Sequence, residues 1–416
     1  MTQVFLTVAK LIADKEASLQ TGPFGTQLRA SDYVEQGIPV INVRNIGFGT
    51  IRDGDLEYLG EAMAEKLHQH RLKINDIVFG RKGAVERHVL IDKNAEGWIQ
   101  GSDCLRLRID SSRVNNKYLS YYFTTSAHKD WMQALCSFGA TMSSLNQDIV
   151  KRINFPLPPI KVQEKIAAIL STYDDLIENN QRRIVLLEKM AEEIYREWFV
   201  RMRFPGYELS KFEKGIPEGW EVSSLGAIAN FNMGQSPSSE FYNETGNGLP
   251  FNQGVGTYGD RFPKKATFCS VSGRNAKQGD ILFSVRAPVG RLNIADCEMI
   301  IGRGLAALSH KKKLNSYLFY LLKTVFSDED IIGNGSIFNS VGKDELNRFP
   351  ILQPLELLEK KFDDIASKID EQISTLIRAN ENLKKTRDML LPRLISGKLS
   401  VESLDIQFPP SMQEAA

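Results

Sequence analysis

Two stretches of the chain carry apolar residues at a spacing of seven. In the first, Ile166, Tyr173, Asn180, Leu187 and Ile194 form one row, and Leu170, Ile177, Ile184, Ala191 and Trp198 form a companion row. In the second, Phe362, Ile369, Leu376, Leu383 and Leu390 recur at the same interval. Lys, Arg and Glu fill the other faces, and both interiors read as free of Gly and Pro. Such spacing, sustained over several repeats, predicts two long helices that pair as a coiled coil. Each helix, at about 36 residues, would be about 54 Å long. Tyr173, Asn180 and Leu187 on the first helix and Leu376, Asn380 and Leu383 on the second are the candidate pairing residues.

Outside these stretches the pattern shortens. Apolar runs of strand length, such as Ile38-Pro39-Val40-Ile41 and Asp280-Ile281-Leu282-Phe283, mix with helical patterns such as Asn116 to Trp131, which predicts α+β domains. The two halves repeat one plan. Asp76 to Arg87 aligns with Asp280 to Arg291, and Tyr118-Leu119-Ser120-Tyr121 with Tyr317-Leu318-Phe319-Tyr320. Ser144, Asp148 and Arg152 match Ser340, Asp344 and Arg348 at one constant separation, and Phe155-Pro156 and Phe349-Pro350 close both copies. Leu11-Ile12-Ala13 aligns with Ala227-Ile228-Ala229.

The expected organisation is a globular domain over 1–155 and a long helix over 156–200. A linker and second globular domain follow over 201–350, then a second long helix over 351–395 and an extended, partly disordered tail over 396–416. With this pseudo-twofold repeat, pairing Asn180 with Asn380 in an antiparallel helix pair puts the symmetry centre close to the middle of the first helix, so the two are expected to face each other. A buried asparagine costs stability unless it finds a polar partner, and a pair of them fixes one register.

The 416 residues, 42% hydrophobic and 25% charged, fit a folded chain of two or more domains. A net charge of +1 shows no basic excess, so any nucleic-acid surface must be a local patch. Cys104, Cys136, Cys269 and Cys297 form no C-x-x-C pair, which predicts reduced thiols and no metal site. No signal peptide and no long apolar run are read, so a soluble, cytoplasmic protein with no membrane partner is expected.

Catalytic motifs are also missing. Gly254-Val255-Gly256-Thr257-Tyr258-Gly259 fits G-x-G-x-x-G, but Asp260-Arg261-Phe262-Pro263 spoils the helix start that phosphate binding needs. It reads as a polar recognition loop. The sequence has no phosphate-loop motif and no nucleophile elbow. Leu157-Pro158-Pro159-Ile160 and Phe408-Pro409-Pro410-Ser411 lack both ends of an adenine-methylase motif.

Four segments resemble Type I restriction–modification specificity subunits. They are Gly279 to Arg286; Pro217-Glu218-Gly219-Trp220-Glu221-Val222; Pro156 to Pro159 with Gln163-Glu164-Lys165-Ile166 and Ile169-Leu170; and Leu394-Ile395-Ser396-Gly397-Lys398-Leu399. The resemblance covers nearly the whole chain. It implies a non-catalytic subunit with two target-recognition domains separated by two long antiparallel helices. The implied partners are double-stranded DNA, two modification (methyltransferase) subunits and restriction (translocase and nuclease) subunits. S-adenosylmethionine, ATP and Mg are expected on those partners and no cofactor on this chain. Other readings are a self-contained restriction–modification enzyme of another type, or a coiled-coil scaffold without DNA binding.

Arg reads guanine, and Asn or Gln reads adenine, through paired hydrogen bonds. Polar loops in corresponding places are therefore the candidate DNA contacts. In the first copy these are Thr21, Gly22, Phe24, Thr26, Gln27, Arg44, Asn45, Arg81, Lys82, Thr141, Ser143 and Ser144. In the second they are Gln235, Ser236, Asn252, Gln253, Tyr258, Arg286, Ser336, Asn339 and Ser340. Lys311-Lys312-Lys313 reads as a solvated turn, and Trp198 and Trp220 as packing residues.

Overall fold

The computed structural model describes residues 4–137, 143–326 and 340–413. Chain contacts divide it into two units, one of Met1–Asn180 with Ala379–Ala416, the other of Gln181–Arg378. Each is an α+β unit.

In the first unit a five-stranded sheet runs in the order Ala17–Thr21, Cys104–Ile109, Ile77–Gly80, His88–Leu90, Phe48–Gly49. Ile77–Gly80 is central and buried along its whole length, which explains its unbroken apolar run. Ile77, Phe79, Leu105 and Leu107 pack against Leu119 and Phe123 of the helix Asn116–Thr124. A second sheet pairs Ile38–Ile41 antiparallel with Glu57–Leu59 and parallel with Ile99–Gln100. The expected helix from Asn116 to Trp131 is two helices, broken at Thr125, whose backbone is extended (ψ 146°). The Thr125 hydroxyl donates to Tyr122 O and accepts from His128 N, a local alternative to the helical ladder.

The second unit repeats this order. Ala229–Met233, Leu305–His310, Ile281–Ser284 and Leu292–Ile294 form its main sheet. Leu249–Asn252 pairs antiparallel with Phe268–Cys269 and parallel with Met299–Ile301. Gly80 lies opposite Cys104 in one unit and Ser284 opposite Leu305 in the other. Asp76–Arg87 and Asp280–Arg291 therefore occupy equivalent strand–loop positions. One alignment shifts by a residue. Val8 N donates to Ile153 O and Leu225 N to Phe349 O, so Leu11, not Ile12, is the partner of Ile228.

The long helices are Ile160–Tyr195, ending in a π turn at Arg196–Val200, and Glu356–Ile395. The second contains Pro392, against the expectation of a proline-free interior; it sits in the final turn, and the helix ends three residues later at Ile395. In the first unit Ile166, Ala167 and Leu170 pack with Leu391, Leu394 and Ile395. In the second, Ala191 and Tyr195 pack with Phe362, Ala366 and Ile369, with the Tyr195 and Phe362 rings 5.4 Å apart. In each unit residue numbers rise along one helix as they fall along the other, so the helices run antiparallel.

The tail departs from expectation. It is extended, but Val401 is fully buried beside Ile166 and Leu394. Lys165 Nζ donates to Glu402 O (2.8 Å) and Leu404 O (2.7 Å). Trp220 is buried between Phe199 and Phe204, and Trp198 packs on Phe362. Lys311–Lys313 is an exposed turn, with Lys313 at φ 63°.

Candidate nucleic-acid interface

In the first unit Ala17–Thr21 and Ile77–Gly80 both run antiparallel to Cys104–Ile109. The carboxyl ends of the first two strands and the amino end of the third therefore meet at one rim of the sheet. The segments leaving that rim are the polar loops singled out from the sequence. A backbone bridge pins Ser144 to Lys82, with Gly83 N donating to Ser143 O (3.1 Å) and Leu145 N to Arg81 O (2.8 Å). Gln147 Nε2 donates to the Thr21 hydroxyl (3.1 Å), which joins the remaining loop to the cluster. Lys82 is exposed and pairs with Asp103 at 3.2 Å. Phe24 is 64% exposed, and Gln27 is exposed. Arg44, also exposed, is held by Glu57 (3.0 Å) and Asp55 O (3.0 Å).

The second unit rebuilds the rim. Arg286 bridges Ser340 as Lys82 bridges Ser144, and Val341 N donates to Val285 O (2.9 Å). Arg286, Ser340, Gln235 and Gln253 are exposed. The Ser236 hydroxyl donates to Gln253 Oε1 (3.0 Å) and accepts from Arg303 N (3.2 Å). These three residues, with Thr257 and Tyr242, line an open groove of about 570 Å³.

Four sequence-based assignments need correction. Asn45 is fully buried: its Nδ2 donates to Arg52 O and Gly54 O, and its Oδ1 accepts from Asn42 N, so the side chain closes its own loop. Asn252 is fully buried against Met299. The Tyr258 hydroxyl is buried, and the ring packs beside Leu282 and Ala307, where burial raises its pKa. Gly22 is buried and serves backbone approach, since a Cβ there would lie 1.9 Å from Gly101 O. Arg81 is half-buried, and its neighbour Lys82 is exposed. Thr141, Ser336 and Asn339, and the Thr26 side chain, lie outside the described residues.

Sequence reasoning missed Asn42, Gln147, Asp103 and Arg303. A glycine pair could have found two of them. Added Cβ atoms at Gly101 and Gly302 would meet Asn42 Oδ1 and Gln253 Oε1, which makes Asn42 and Gln253 equivalent, and Arg303 directly follows Gly302. It also missed a cationic ledge, where Lys129 Nζ lies 4.4 Å and Arg87 Cζ 5.7 Å from the centre of the exposed Phe48 ring. The rims thus carry local cations although net charge is near zero.

Of the helix-pairing candidates, Asn180 and Asn380 meet across the helices. Asn180 Nδ2 donates to Asn380 Oδ1 (2.8 Å), and Asn380 Nδ2 donates to Ile177 O (3.2 Å). Leu376 is buried, and Tyr173, Leu187 and Leu383 are half-buried. The second helix has a further buried row, Ala366, Ile373, Asn380 and Leu394, which includes the asparagine.

Comparison with known proteins bears on this arrangement. The sequence matches the Type I restriction modification DNA specificity domain over residues 33–189 and again over 217–386. It is 32% identical over 377 residues to the chain assigned as the MjaX type I restriction enzyme specificity subunit of Methanocaldococcus jannaschii, covering 88% of each. It is 28% identical over 334 residues to the MjaIX specificity subunit of the same organism, covering 76% of each. The crystal structure of the Type I restriction–modification S subunit from M. genitalium aligns with a TM-score of 0.61 at 16% identity, over 98% of this chain and 97% of that one. No helix among the described residues is long and apolar enough to cross a membrane.

Proposed function

The chain belongs to the Type I restriction–modification DNA specificity subunits, and from that premise we propose that each unit reads one half of a bipartite target through its sheet rim. One observation carries this reading: the same rim, with a cation bridged to a serine, is built twice, as Lys82–Ser144 and as Arg286–Ser340. Phosphate contacts give affinity and register, whereas base-edge contacts give sequence. The exposed cations Lys82, Arg44 and Arg286 suit the first role or guanine readout, and the exposed amides Gln27, Gln235 and Gln253 suit adenine readout.

In the same proposal, two modification subunits bind the helices and methylate adenine with S-adenosylmethionine, and restriction subunits add ATP- and Mg-dependent translocation and cleavage. This chain binds none of those cofactors. Exposed apolar side chains on the helices support partner docking: Leu176 and Met389 in the first unit, and Val185, Leu186 and Met190 in the second.

The test is methylation by the complex assembled with its modification subunits. Replacing Gln253, Arg286 and Arg303 together by Ala should change which bases are required in one half of the target and leave the other half as before. Unchanged requirements in both halves would refute the assignment of reading to the rims.

A further inference from the structure

Both units contain the same carboxylate–tyrosine node, but they supply its cation from different places. In the first unit Tyr121 donates to Asp174, and Arg387 of the second long helix donates to the same carboxylate at 2.5 Å. In the second unit Tyr320 donates to Asp370 at 2.9 Å, and the Ser316 hydroxyl donates at 2.6 Å. The repeat equates Asp174 with Asp370 and Arg387 with Ala191, which is fully buried and carries no charge. The missing cation comes from the recognition domain itself. Arg261 donates to Asp370 of one helix and lies 3.3 Å from Glu188 of the other, with its guanidinium 4.9 Å from the Phe319 ring centre. Its side chain is 2% exposed.

Arg261 is only a few residues from the rim. The segment begins at Gln253 and Thr257, which line the groove, passes a tight turn closed by Gly259 N to Phe262 O (3.1 Å), and places Arg261 at its tip. Gly47 N to Thr50 O (3.0 Å) is the matching turn of the first unit, and there the tip residue is Gly49, close to Ser120. So the first unit has no such arm. Where the second has Arg261 against Phe319, the first has a glycine against a serine.

We propose that Arg261 is a positioning residue for sequence reading, holding the Gln253–Phe262 segment of the second recognition domain in a fixed orientation on the helix pair. A buried guanidinium shared by two carboxylates has one well-defined placement, because leaving either charge unpaired is costly. The planar fork therefore fixes the tip, and the short segment carries that placement to the groove. The first unit has its cation on a helix, so its recognition loop is held without this tie.

This inference rests on the reading that each unit serves one half-site. The test uses the full chain assembled with its modification subunits and duplexes mismatched at single positions in either half. Arg261→Ala leaves Asp370 buried without its cation, so it is paired with Arg261→Met/Asp370→Asn, which removes both charges; the amide oxygen can still accept from one of the Ser316 and Tyr320 hydroxyls while its Nδ2 donates to the other. The double variant should assemble and melt like the parent, yet lose discrimination about tenfold in one half of the target and keep it within about twofold in the other. Parental discrimination in both halves would show that Arg261 only balances charge and would overturn the proposal. Equal loss in both halves would overturn it as well. A parent complex without a two-part target would instead refute the half-site reading on which the inference rests.

Discussion

Asn180 donates to Asn380 across the antiparallel seam at 2.8 Å, and Asn380 returns a hydrogen bond to Ile177 O at 3.2 Å. Both amides are thus engaged, Asn380 buried and Asn180 half-buried, on a row that apolar residues otherwise fill. Asn380→Ala should cost about 1–3 kcal/mol, because it leaves polar groups of the seam unsatisfied. Asn180→Leu/Asn380→Leu should be more stable than either single variant and less strict in register. Denaturant melts of the four proteins give the coupling, and additive effects would contradict it. The assembled double variant should also tolerate a target spacer one base pair longer or shorter.

The bridged cations give a salt-dependence prediction. Lys82→Ala and Arg286→Ala should each weaken DNA binding by the assembled complex. A lost phosphate contact lowers the slope of log affinity against log salt by about 0.9, with little change in specificity. A lost base contact instead costs roughly 1–3 kcal/mol of discrimination at one position. Titrations at several salt concentrations distinguish the two, and parental behaviour of both variants would remove these residues from the interface.

Glu359 should make stability depend on pH. It occupies the position of Gln163, whose Oε1 accepts from Asn115 N and whose Nε2 donates to Arg113 O and Pro158 O. Glu359 is 1% exposed, with one oxygen buried without a hydrogen-bond partner. Burial pushes its carboxyl up to about 7; Lys312 and Gln353 oppose the shift and Glu356 adds to it. The folded state therefore favours the protonated form. That stabilisation is complete below the unfolded value near 4.5 and is lost as pH rises through about 7. The difference amounts to roughly 3 kcal/mol. Glu359→Gln should flatten this dependence and raise the melting temperature at pH 8. Parallel pH profiles for the two proteins would contradict it.

The docked tail predicts a protease footprint. Val401→Asp places a charge among Ile166, Leu394 and Leu399 and should release the tail. Limited proteolysis should then cut within Leu399–Met412, where the parent resists. Equal resistance would mean that the packing of Val401 does not hold the segment.

Two kinds of helix substitution should separate folding from assembly. Leu186 is 66% exposed and Met190 47% exposed, so Leu186→Asp/Met190→Asp should leave the melting temperature nearly unchanged and block modification-subunit binding. Leu187 packs against the core of the second unit, so Leu187→Asp should lower stability itself. Size-exclusion chromatography with the partner, beside thermal melts, reads both effects. Normal assembly by the exposed pair would exclude that face as the docking surface.

Much of the fold is legible in the chain because its signals are short-range. The seven-residue rows mark the helices, and the buried run Ile77–Gly80 and its copy Ile281–Ser284 mark central strands, since helical and strand periodicities are local properties of the backbone. The duplication is consistent with Asn180 facing Asn380, and the contact itself is seen in the structure. The candidate site was less legible. Asn45 and Asn252 have the composition of DNA-reading residues, but the closure of a loop on Arg52 and Gly54 and the packing of Met299 take them out of reach. Lys82 and Ser144 are far apart in sequence, as are Arg261 and its carboxylates on the two helices, and nothing periodic links them. The sequence by itself determined the helices, the repeat and the family. Only the tertiary structure decided which polar side chains remain exposed, where the tail docks, and which unit ties its recognition loop to the helices. Those outcomes depend on hydrogen-bond and charge partners that distant segments supply, and a buried polar group is settled only when its partner arrives.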